Sequence, residues 1–141
     1  MNQMSQISEQ VVDAITGDQG ILDAFGMKVV SAIEGQCDIH CQVPHSLVNA
    51  GGFAHGSIAF SLIDTAAAYA IRSTGSQGVT STANITYVKG AVGGDSLEAR
   101  VVVLSQTRRV ASLRGEVYLL TNGERVLAAH GSLVFQLRAK S

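Results

Sequence analysis

Residues 56–71, GSIAFSLIDTAAAYAI, are apolar on nearly every side of a helix. Ile58, Leu62, Ala66 and Tyr69 form one stripe, and Ala59, Ile63, Ala67 and Ala70 form another. Such a helix belongs in an interior, so the rest of the chain has to enclose it. Most of that remainder reads as strands. Residues 27–33 and 36–43 are joined around Glu34-Gly35, and Pro44, lacking a backbone donor, ends the second. After the helix, strands are expected over 79–88, 96–106, 109–120 and 125–137. Thr107-Arg108 joins the middle pair, and Asn122-Gly123, the strongest hairpin signal in the chain, joins the last. An amphipathic helix over 5–16 and a helical turn over 21–25, ending at Gly26, precede them. The order predicts an α+β fold. A single domain over 1–141 has an antiparallel sheet wrapped around one long helix, with an N-terminal helix beside it.

Composition narrows the class. A chain of 141 residues, 46% hydrophobic and 15% charged, has a sizeable core under a modestly charged surface. A net charge of −1 gives no bulk attraction to nucleic acid or to an anionic membrane. Aromatics are only 5%, without the basic-aromatic pattern of a nucleic-acid binder. Residues 1–10 carry neither the basic nor the apolar part of a signal peptide. Ser57, Ser61, Asp64 and Thr65 interrupt the longest apolar run, which argues against a membrane span. Cys37 and Cys41 fall on one strand, about 13 Å apart at the usual rise, whereas a disulfide needs roughly 4.4–6.8 Å. Free thiols suit a cytoplasmic protein. His40, Cys41 and His45 match no standard zinc spacing. No phosphate-loop, dinucleotide or Gly-x-Ser-x-Gly motif occurs. Neither a metal nor a bound cofactor is expected.

Asp64 stands inside the apolar helix, and from Val29 to Ile71 there is no Lys or Arg to neutralise it. A carboxylate buried in that way is protonated, paired or functional. Ahead of the helix lies the glycine-rich entry Asn49-Ala-Gly-Gly-Phe-Ala-His55-Gly56. A backbone N–H at a helix start is an unpaired donor backed by the helix dipole, and glycine lets a ligand come close to it. A donor for developing negative charge and an acid that can serve as base or nucleophile suit attack on a carbonyl.

These residues resemble the hotdog-fold acyl-CoA thioesterases, in the group of the phenylacetic-acid-degradation (PaaI-like) thioesterases. That group carries an Asn, then Gly-x-x-His-Gly-Gly, then an Asp nine residues after the His. Asn49, Gly52, His55, Gly56 and Asp64 match, with Ser57 in place of the last Gly. Residues 78–87 resemble the family's strand after the helix, with Thr80 at its Ser/Thr position. Lys89-Gly90 follows where the family usually has a basic residue and Pro. The resemblance implies a hotdog fold and hydrolysis of a small, medium or aryl acyl-CoA, with coenzyme A as part of the substrate. It also implies Asp64 as general base or nucleophile, the Gly56 N–H as oxyanion donor, and Asn49, His55 and Thr80 as site residues. Lys89, Arg108 and Arg109 are the basic residues expected near the coenzyme A phosphates.

Spacing adds a constraint. Gly56 and Asp64 are separated by about 12 Å along one helix, at about 1.5 Å per residue, too far to share one carbonyl. Either they serve different purposes, or Gly56 of one subunit meets Asp64 of another across a two-fold axis. The resemblance implies the second arrangement, a homodimer with shared sites, and a dimer of dimers. Two other chemistries fit the same residues. An enoyl-CoA hydratase or dehydratase would use His55 with Asp64, and a non-catalytic protein would bind acyl-CoA without turnover.

Overall fold

The structure, a computed structural model, describes residues 6–138. Two short helices, α1 (Glu9–Gly17) and α2 (Gln19–Ala24), precede strands β1 (Met27–Ile33) and β2 (Gln36–Gln42). The long helix α3 (Gly56–Arg72) follows, then β3 (Gly78–Tyr87), β4 (Ser96–Gln106), β5 (Val110–Thr121) and β6 (Glu124–Leu137). All six strands form one antiparallel sheet in the order β1-β2-β4-β5-β6-β3. The α+β expectation of a sheet around one long helix is met.

Both two-residue hairpin turns have positive φ at their centres, 53° and 81° at Glu34-Gly35, 50° and 77° at Asn122-Gly123. That backbone matches the right-handed twist of the flanking strands. The first helix is shorter than expected. The start at Ser5 lies outside the described residues, and Ile7 bridges to Ala32 while the Ser8 N–H donates to the Ala32 carbonyl at 2.9 Å. That tie to β1 delays α1 until Glu9.

The core lies between α3 and the concave face of the sheet. Ile58, Leu62, Ile63, Ala66, Tyr69 and Ala70 of the helix are buried against Leu113, Val117, Leu133 and Phe135. Gly115 sets the depth of the helix. A Cβ there would stand 2.8 Å from the Ile63 Cγ2, so the glycine leaves a dimple for the residue next to Asp64. The Tyr69 hydroxyl donates to Asp18 at 2.8 Å and ties the far half of α3 to the α1–α2 junction.

Enclosure is incomplete, which corrects the expectation of a helix buried on every side. Ser57, Ser61, Asp64 and Ala68 are only half-buried, and Phe60 is 40% exposed. They make one stripe of α3 that the chain's own sheet does not cover. Cys37 and Cys41 are free, buried thiols. Burial pushes Cys41 up to about 11 and Cys37 higher still, so neither is thiolate near neutral pH. Among the described residues, no helix is long and apolar enough to cross a membrane.

Candidate active site

The start of α3 is built by His55, whose backbone is extended at φ −60° and ψ 142°. Its Nδ1 accepts the Ser57 N–H at 3.0 Å and lies 2.8 Å from the Ser57 Oγ. The imidazole thus does the capping usually done by Ser, Thr, Asp or Asn. The His55 N–H donates to the Leu47 carbonyl at 2.9 Å, and the His55 carbonyl accepts the Ile58 N–H at 3.0 Å. The Gly56 N–H is left over: among the described residues it has no acceptor.

Asn49 closes the loop that leads into the helix. Its Oδ1 accepts the Gly51 and Phe53 N–H groups at 2.9 and 3.1 Å, leaving its amide NH2 as a donor. Beside Gly56 opens a cavity of about 200 Å³, lined by Ala54, Ile58, Tyr87, Lys89, Leu97 and others. The atoms nearest to a Cβ on Gly56 would be those of Tyr87, at 3.5 Å or more. That is ordinary contact, so the chain's own packing does not demand glycine here. The open space beside this donor suits a ligand that approaches the backbone closely.

Asp64 lies two turns further on. It is half-buried rather than buried, and among the described residues no Lys or Arg pairs with it. Its partner is Thr80, whose hydroxyl donates to Oδ1 at 2.5 Å. A bulge in β3 makes the meeting possible. Thr80 pairs with Phe135 on the concave face, and the register slips before Thr82 pairs with Val134 on the other.

The expected site residues therefore fall in three places. His55, Gly56 and Lys89 line the cavity and Asn49 sits in the loop that leads into α3, while Asp64 and Thr80 form a pair about 12 Å along α3. Arg108 and Arg109 stand at the β4–β5 turn, where the Arg109 carbonyl accepts the Leu137 N–H at 2.7 Å, and Leu137 pairs with Gly78. Lys89 follows the other end of β3, about 30 Å away at the usual rise per residue. One chain does not bring the three basic residues together. Two participants had no role assigned from the sequence: Ser57, engaged with His55, and Tyr87, whose hydroxyl donates to the Gly56 carbonyl at 2.8 Å.

The model of the family described as "Thioesterase superfamily" matches residues 51–126. The chain belongs to the thioesterase superfamily. This thioesterase is 31% identical over 106 residues to the acyl-coenzyme A thioesterase PaaI of Escherichia coli strain K12, covering 75% of the chain and 76% of the relative. It is 30% identical over 114 residues to the human acyl-coenzyme A thioesterase 13, covering 79% and 81%. The solved PaaI structure from the Escherichia coli phenylacetic acid degradation operon superposes with a TM-score of 0.80 at 26% identity, over 90% of this chain and 95% of that one. The hotdog fold and the PaaI-like character expected from the Asn49–Asp64 pattern are thereby established, and the chain is an enzyme of the thioester hydrolase class.

Proposed function

We propose that this thioesterase hydrolyses acyl-coenzyme A carrying a small, medium or aryl acyl group, at sites shared between two subunits. The observation that carries the reading is the acceptor-free Gly56 N–H at a helix start beside an apolar cavity. A donor fixed there before the substrate arrives stabilises the oxyanion without reorganising, a contribution of about 3–4 kcal/mol. The Asn49 amide NH2 assists at the same oxygen, and His55 holds the helix start in place through Ser57.

Asp64 supplies the other half. The Thr80 hydroxyl engages Oδ1 and leaves Oδ2 to act. That oxygen either takes a proton from the attacking water or attacks the carbonyl carbon itself. In both routes the C–S bond breaks, coenzyme A leaves as a thiolate that takes up a proton, and water supplies the hydroxyl of the free acid.

The separation of Gly56 and Asp64 along α3 requires two copies of the chain for one site. A two-fold axis that sets Gly56 against the partner's Asp64 passes midway between them, at Phe60, which is 40% exposed. It also sets β3, an edge strand with unpaired backbone groups, antiparallel to its counterpart, a standard way to satisfy an open edge. The same operation carries the partner's Arg108 and Arg109 toward Lys89. Basic residues of two subunits then flank the cavity mouth, where the phosphates of coenzyme A would lie. Two such dimers would make the dimer of dimers that the resemblance implies. Reduced Cys37 and Cys41 support a cytoplasmic location.

A panel of acyl-CoA esters with short, long, aryl and α,β-unsaturated acyl groups tests the reaction. Release of free thiol from saturated short, medium or aryl esters is the expected result. Loss of the double bond without thiol release would instead support a hydratase. That rival would have to work through the Nε2 of His55, since Nδ1 is engaged with Ser57. Binding without any turnover would contradict both.

A further inference from the structure

We propose that Tyr87 is the positioning residue for the oxyanion donor, a proposal that rests on reading the Gly56 N–H as that donor. Glycine at this position keeps the approach open but leaves the backbone with more freedom than any other residue would. The direction of its N–H then depends on what restrains the peptides on either side. On the near side, the His55 N–H is tied to the Leu47 carbonyl and the His55 carbonyl to the Ile58 N–H. On the far side, the Gly56–Ser57 peptide is gripped at both ends. His55 Nδ1 takes the Ser57 N–H at 3.0 Å, and the Tyr87 hydroxyl donates to the Gly56 carbonyl at 2.8 Å.

Tyr87 is the one restraint that comes from the sheet rather than from the loop and helix. It ends β3 and pairs with the buried Ala129, so its ring points to the concave side, against Gly56. It also forms part of the cavity wall, and it is 55% exposed. A tyrosine so exposed is not held there by burial. Its hydroxyl couples the rigid edge of the sheet to the peptide that directly follows the one whose N–H faces the reacting carbonyl, and small misplacements there carry large rate costs.

Tyr87→Phe keeps the ring and removes only this bond. The expected result is a five- to tenfold fall in kcat with KM unchanged for short and aryl acyl-CoA alike, about 1 kcal/mol of transition-state stabilisation at ~1.36 kcal/mol per tenfold. The Ser57 amide should exchange its hydrogen faster in the variant, a readout that stands even if turnover were lost for other reasons. An unchanged kcat overturns the proposal, as does a change confined to KM, which would make Tyr87 a cavity wall only. Unchanged amide exchange also overturns it. If the wild-type protein hydrolyses no acyl-CoA, the reading of Gly56 fails and takes this proposal with it. If the wild type is active and Tyr87→Phe equally so, only the role of Tyr87 falls.

Discussion

Asp64→Asn should lower kcat at least ~100-fold on the best thioester, the usual worth of a positioned base, with KM changed far less. The substitution is close to isosteric, and the amide oxygen of Asn can still accept the Thr80 hydroxyl that now reaches Oδ1 at 2.5 Å. What disappears is the charge that makes the second oxygen a base or nucleophile. Asp64 is half-buried at the uncovered stripe of α3, so a neutral side chain there should not harm the fold. Thr80→Ala, which removes one hydrogen bond of about 1 kcal/mol net, should cost roughly fivefold on the same arithmetic. Steady-state hydrolysis of one acyl-CoA by the three proteins checks both. An Asp64→Asn enzyme retaining more than a third of wild-type kcat would exclude Asp64 as the base.

Gly56→Pro should reduce kcat by about 10²- to 10³-fold, the loss seen when an oxyanion donor is deleted. Proline removes the N–H outright, and Gly56 is the first residue of α3, where proline's fixed φ is tolerated. The preceding residue suits it as well. His55 already has ψ 142°, in the extended region that a residue before proline prefers. Denaturant midpoints of variant and wild type should therefore agree closely, which separates a lost donor from a lost fold. A variant with near-normal turnover would show that the Gly56 N–H does not meet the developing charge.

Much of this was legible in the sequence because local chemistry dictated it. Asn122-Gly123 and Glu34-Gly35 fix their hairpins through residues that accept positive φ. The apolar run around Asp64 fixes a helix that a sheet must wrap. The uncovered stripe was hidden because Ala68 and Phe60 count as apolar whichever side they face. Only the sheet's curvature decides which face of the helix it covers. Tyr87 was hidden by the bulge in β3. Strict alternation from Thr80 puts Tyr87, seven residues on, on the opposite face of the strand. The register slip between Thr80 and Thr82 returns it to the side of the helix. His55 as a helix cap was unreadable for another reason, since its residue type is not a common one for that role. The fourth case is long-range. That Arg108 and Arg109 lie near Gly78 while Lys89 follows Tyr87 depends on β6 sitting between β5 and β3, a pairing no local pattern specifies.

The central claim, that each site joins Gly56 of one subunit to Asp64 of its partner, is tested most directly by mixing two inactive variants. An Asp64→Asn subunit still supplies the Gly56 N–H, and a Gly56→Pro subunit still supplies Asp64. After subunit exchange at equal concentrations, random pairing makes about half of the dimers mixed. Each mixed dimer holds one intact site and one doubly damaged site, so about a quarter of wild-type activity should return. Activity that stays at the level of the separate variants, with exchange demonstrated and both proteins folded, would contradict the shared site and leave Gly56 and Asp64 serving different purposes.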